Sequence, residues 1–91
     1  MGTRIPGLPK VVEIYRQPSP PGHMGNDMRV RAMLQDGAVV FEGADESLCA
    51  FFKERGVRNA EGKTVPVSAG PAFLSALCYW GNTYFYARRV A

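Results

Sequence analysis

The segment Met28–Gly43 constrains this chain more than any other. Met28, Val30, Ala32 and Leu34 alternate with Arg29, Arg31 and Met33, the period-2 pattern of a strand with one buried face. Gln35-Asp36-Gly37-Ala38 follows, and Asp-Gly favours the two-residue type I′ turn whose twist matches a hairpin. The return strand is Ala38–Glu42. A two-residue loop at Asp36-Gly37 pairs Leu34 with Val39 and Ala32 with Phe41, so these four share a face with Val30. Met33 then faces Val40, and Arg31 faces Glu42 as an opposite-charge cross-strand pair. A slip of one residue would turn Leu34 and Val30 onto the polar face.

Helical spacing takes over after the hairpin. Asp45 is placed to cap a helix over 45–55, and Glu46 suits the positive end of its dipole. Leu48, Phe51, Phe52 and the stem of Arg55 recur at helical intervals, with Cys49 beside them. Gly56 provides the C-terminal stop, with Val57 as the contact that accompanies it. Arg58–Lys63 reads as a polar turn. Thr64–Val67 reads as a short strand, and Pro66, which cannot donate to a ladder, places it at a sheet edge. Ser68 or Gly70 begins a second helix with Pro71 in its first turn; Phe73, Leu74 and Leu77 form its apolar stripe. Gly81-Asn82 closes it, and Thr83–Val90 reads as a final, aromatic-rich strand.

Residues 1–27 differ in kind. They hold five of the seven prolines, Pro6, Pro9, Pro18, Pro20 and Pro21, and proline both fixes φ and removes a backbone donor. Val11–Arg16 is β-prone enough to add one strand at a sheet edge, and Ser19–Asp27 reads as linker. The expectation is therefore an N-terminal arm over 1–27, partly disordered, and a single α+β domain over 28–91. Its order is hairpin, helix, short strand, helix, strand, in two layers around a mostly antiparallel sheet.

A folded part of about 65 residues buries roughly 60% of its unfolded surface, so its stability is marginal. Self-association would reinforce it. Hydrophobic residues make up 46% of the chain and charged residues 21%, which argues against global disorder. No apolar run approaches the roughly 20 residues of a membrane span, and the N-terminus lacks the apolar core of a secretory signal. The expected setting is cytoplasmic, without membrane contact. Cys49 and Cys78 are the only cysteines, too few for a disulfide scaffold, and both fall beside apolar faces as reduced core residues.

Catalytic chemistry finds little to work with. His23 is the only histidine and lies in the predicted linker, out of reach of a nucleophile that would need it held in place. One histidine and two distant cysteines match no zinc-ligand spacing. Asp36, Asp45 and Glu42 already have structural roles, and no acid interrupts an apolar run where burial would raise its pKa. Ser68-Ala69-Gly70-Pro71 opens a helix after a strand but lacks the spaced glycines and lysine of a phosphate loop. The expectation is a non-enzymatic module without cofactor or metal.

The last strand is the most suggestive surface. With Phe85 and Ala87 facing the core, Tyr84, Tyr86 and Arg88 stand opposite. Together with Arg29, Arg31 and Arg89, and with Trp80 at the end of the second helix, they form the candidate partner-binding set. Tyrosine, tryptophan and arginine are enriched at protein interfaces, so a protein partner or a second copy of the chain is expected. The runner-up is weak nucleic-acid binding, because arginine-interleaved aromatics on a sheet can stack bases and meet phosphates. The net charge of +3 leans that way only mildly.

Overall fold

Alternation, turn chemistry and the caps of the first helix reappear in the computed structural model, which describes residues 7–17 and 27–91. In chain order the elements are β1 (Val11–Arg16), β2 (Met28–Gln35), β3 (Ala38–Glu42), α1 (Glu46–Arg55), β4 (Val57–Arg58), β5 (Thr64–Val65), α2 (Pro71–Leu77) and β6 (Phe85–Arg89). A four-stranded antiparallel sheet runs β3-β2-β1-β6. Both helices cover one of its faces, giving an α+β fold in two layers.

The hairpin has the expected register: Leu34 opposite Val39, Ala32 opposite Phe41, Met33 opposite Val40 and Arg31 opposite Glu42. Asp36 and Gly37 both have positive φ, 53° and 81°, as a type I′ turn requires. Helix α1 starts at its Asp45 cap, whose Oδ1 accepts the Leu48 N–H at 2.9 Å. It stops at Gly56, whose N–H reaches the Phe52 carbonyl at 2.8 Å. A Cβ on Gly56 would lie 2.4 Å from the Val65 carbonyl oxygen, so glycine is what lets the chain cross β5 so closely. On α2, Gly70 is the N-cap and Pro71 opens the first turn.

Three local expectations are corrected. Val11–Arg16, expected at a sheet edge, lies inside the sheet between β2 and β6. Pro9 and Pro18 flank it without entering it, so every amide of the strand can pair, and Val12 and Ile14 are fully buried. The part of the presumed arm at 7–17 is thus integral to the sheet, while 1–6 and 18–26, with His23, lie outside the described residues. Thr64-Val65 edges no part of the main sheet; it pairs with Val57-Arg58 in a ribbon of its own, and Pro66 leads into a 3-10 turn over Val67–Ala69. Phe51, expected on the buried stripe of α1, is exposed. Only Leu48 and Phe52 of that helix are buried; the Phe51 ring instead lies beside those of Phe52 and Trp80.

The core lies between helices and sheet. Val12, Ile14, Val30 and Ala32 meet Leu48, Phe52, Phe73, Leu74 and Leu77. Phe52 is its hub: its ring lies 4.9 Å from Trp80, 6.1 Å from Phe41 and 6.4 Å from Phe73 between centroids, distances typical of favourable aromatic pairs.

Candidate docking surface

Strand alternation sorts the candidate residues onto different faces. On the open face of the sheet, Glu42, Arg31, Glu13 and Arg88 stand in register across β3, β2, β1 and β6. Arg31 donates to Glu13 Oε2 from Nε at 2.9 Å and from Nη2 at 2.8 Å, and its Nη1 lies 3.3 Å from Glu42. The Tyr15 hydroxyl donates to Glu13 Oε1 at 2.6 Å. That hydrogen bond first, with the hydrogen bond and charge of Arg31, holds the Glu13 carboxyl below the usual range against the opposing effect of burial. Tyr15 in turn stacks on Tyr86 at 5.5 Å. Arg31, Tyr86 and Arg88 therefore do share a face, but its charges alternate in sign and Arg31 is engaged by two carboxylates.

The remaining candidates disperse. Arg29 falls at the irregularity where Ile14 pairs with Val30 and Tyr15 with Met28; its guanidinium meets Asp27 at 3.4 Å and the cap residue Asp45 at 3.5 Å. Tyr84 precedes β6 and is 70% exposed. Arg89 takes the helix-covered side, opposite Val12. Trp80 sits on that side too, half-buried against Phe51, Phe52 and Phe85. The expected continuous basic and aromatic surface is thus divided between two faces.

A different surface collects apolar groups. The chain leaves α2 through a tight turn, with Tyr79 N–H on the Ala76 carbonyl and Trp80 N–H on that of Leu77. The Trp80 carbonyl accepts from Ala87 at 3.1 Å, tying the turn to β6. This anchors Trp80 inward and leaves Tyr79 88% exposed. Tyr79 stands where three depressions meet. The largest, about 660 Å³, runs between α2 and the 59–61 turn, with Leu8, Val65, Pro71, Ala72 and Ala76 on its walls and Glu61 among its lining residues. A second, about 350 Å³, lies beside Cys78 and Arg89. The third, about 440 Å³, reaches Phe51, Arg55 and Trp80.

Sequence reasoning singled out Trp80 and passed over Tyr79, Phe51 and Leu8. A signal for Tyr79 existed: at roughly 100° per residue it lies about 200° from Leu77, away from the stripe that α2 buries. No such signal marked Leu8, which reaches the groove only because β1 is inside the sheet.

Cys49 and Cys78 are both free and half-buried. Burial pushes each thiol up; at Cys78 the charge of Arg89 partly opposes that. Among the described residues no three His, Cys, Asp or Glu side chains come together to hold a metal ion, and no helix is long and apolar enough to cross a membrane. Comparison with protein-family models, with curated proteins and with solved structures found no match.

Proposed function

We propose that this domain is a protein-binding module whose docking surface is the apolar groove along α2, with Tyr79 as its main anchor. The observation that carries the reading is the exposure of Tyr79, 88%, at the meeting point of three depressions. A large aromatic in water at a concave apolar surface gains nothing for folding, whereas tyrosine and tryptophan in such positions dominate binding energies. The occupant is an extended polypeptide segment with small apolar side chains, which matches a groove walled by Leu8, Val65, Pro71 and two alanines of α2. The open sheet face supports the role less, since Arg31 at its middle already meets Glu13 and Glu42.

Selection of random peptides on the immobilised chain tests this reading. The expected result is a set of apolar peptides whose affinity falls about tenfold or more in Tyr79→Ser, the loss typical of an anchor residue, and is unchanged in Tyr84→Ser. A selection that yields no binders, or binders indifferent to Tyr79→Ser, overturns it.

A further inference from the structure

Arg89 differs from Arg29 and Arg31 in its surroundings. Arg29 and Arg31 each meet two carboxylates, but among the described residues no acid lies within ion-pair distance of Arg89. Its alternation with Arg88 turns it onto the helix-covered face, where it is half-buried beside Cys78 and Ser75. One Nη2 hydrogen bond, to the Gly7 carbonyl at 3.1 Å, holds the side chain. Its Nε is fully buried and has no acceptor. A buried donor without an acceptor is rare in folded proteins, and a half-buried cation without a counter-charge is costly. The Nε is closed to solvent, but the unpaired charge is accounted for when an anion in the adjoining cavity meets the guanidinium.

The surroundings fit one kind of anion. Among the described residues no acidic side chain lines the cavity of about 350 Å³ beside Arg89, and that cavity shares Leu8, Ser75 and Tyr79 with the larger groove. The acid of that groove, Glu61, lines the larger space and not the smaller one. The joined depressions are therefore apolar along their length, negative on one side and positive on the other. We propose that the Arg89 cavity receives the C-terminal carboxylate of the docked polypeptide, whose preceding apolar residues lie in the groove along α2. The inference rests on the docking reading above and adds the ligand's charge and polarity. A guanidinium presents paired donors that match a carboxylate's two oxygens, and the Ser75 hydroxyl lines the same cavity.

The test uses the full chain and dansyl-labelled Ala-Leu-Val-Leu as free acid and as C-terminal amide. A third arm is an amidated peptide of the same length with an internal aspartate. The free acid is expected to bind at least about tenfold tighter than the amide, the usual scale for a charge-assisted hydrogen bond. Arg89→Gln should abolish that advantage, and Arg89→Lys should restore part of it. Equal binding of acid and amide, with both lost in Tyr79→Ser, overturns the carboxylate anchor and leaves the groove reading standing. An amidated internal-aspartate peptide that binds as well as the free acid overturns the terminal assignment. Failure of all three peptides to bind overturns both readings. Should Arg89→Gln fail to fold, the acid-to-amide ratio on the parent chain still decides.

Discussion

The two faces of the four-stranded sheet are built from the same strands yet held by different forces. On the covered face Val12, Ile14, Val30 and Ala32 are fully buried under Phe52, Phe73 and Leu77, and stability comes from packing and from removal of apolar surface from water. On the open face a row of alternating charge runs from Glu42 through Arg31 and Glu13 to Arg88, beside the stacked Tyr15 and Tyr86. The Arg31–Glu42 pair lies near water, where charge attraction is weak and screened, whereas Glu13 is nearly buried and held by Tyr15 and Arg31. The contrast teaches that alternation along a strand, and not composition, decides which aromatic and basic residues share a surface. Here Arg31 of the open face is engaged by Glu13 and Glu42, while the exposed Tyr79 lies on the helix side.

The sharpest way to break the contrast is Phe52→Ala. Removing the ring that joins Phe41, Phe73 and Trp80 is expected to cost about 3–5 kcal/mol in denaturant unfolding, enough to unfold a domain of this size. A cost under about 1 kcal/mol would show that the covered face does not carry the fold.

Gly37→Ala comes next. Gly37 has φ 81° with nothing near its absent side chain, so the substitution tests backbone conformation alone. The expected cost is about 1–2 kcal/mol, read as a lower denaturation midpoint with an unchanged slope. A neutral result would mean that the turn does not set the register separating the two faces.

Glu13→Gln probes the open face, at about 1 kcal/mol near neutral pH. Its pH dependence is more diagnostic. Tyr15 and Arg31 lower the Glu13 pKa from its ordinary 4.5. The folded state therefore holds its proton less tightly than the unfolded state. The stabilisation is complete above pH 4.5 and is lost as pH falls through the lower folded value. Comparing acid unfolding of parent and variant should show that part of the slope removed in Glu13→Gln. Identical acid profiles would mean that the charge row contributes nothing.

Smallest is Tyr84→Ser, where a 70% exposed ring should cost less than about 0.5 kcal/mol. A larger loss in thermal unfolding would mean that Tyr84 packs in a way its exposure hides.

Legibility divided along the same line. The face assignment of β6 was readable from alternation: Phe85 and Ala87 pack on the core while Tyr86 and Arg88 face away. The same alternation puts Arg89 with Ala87, on the opposite face from Arg88, with which the candidate set groups it. Leu8 and the groove were not readable at all, because they depend on which strands flank β1.

What the sequence alone determined was local. Asp36-Gly37 set the hairpin register, Asp45 and Gly56 bounded α1, and Pro71 marked the first turn of α2, since each device acts through backbone atoms a few residues away. The tertiary structure decided the rest. It put Val11–Arg16 inside the sheet rather than at its edge, drew Val57-Arg58 and Thr64-Val65 into a ribbon, and left Tyr79 outside the core. The physical reason is that a strand's alternation specifies which side chains face the core, while its neighbours are chosen by burial summed over the whole sheet. That sum is not written in any one segment.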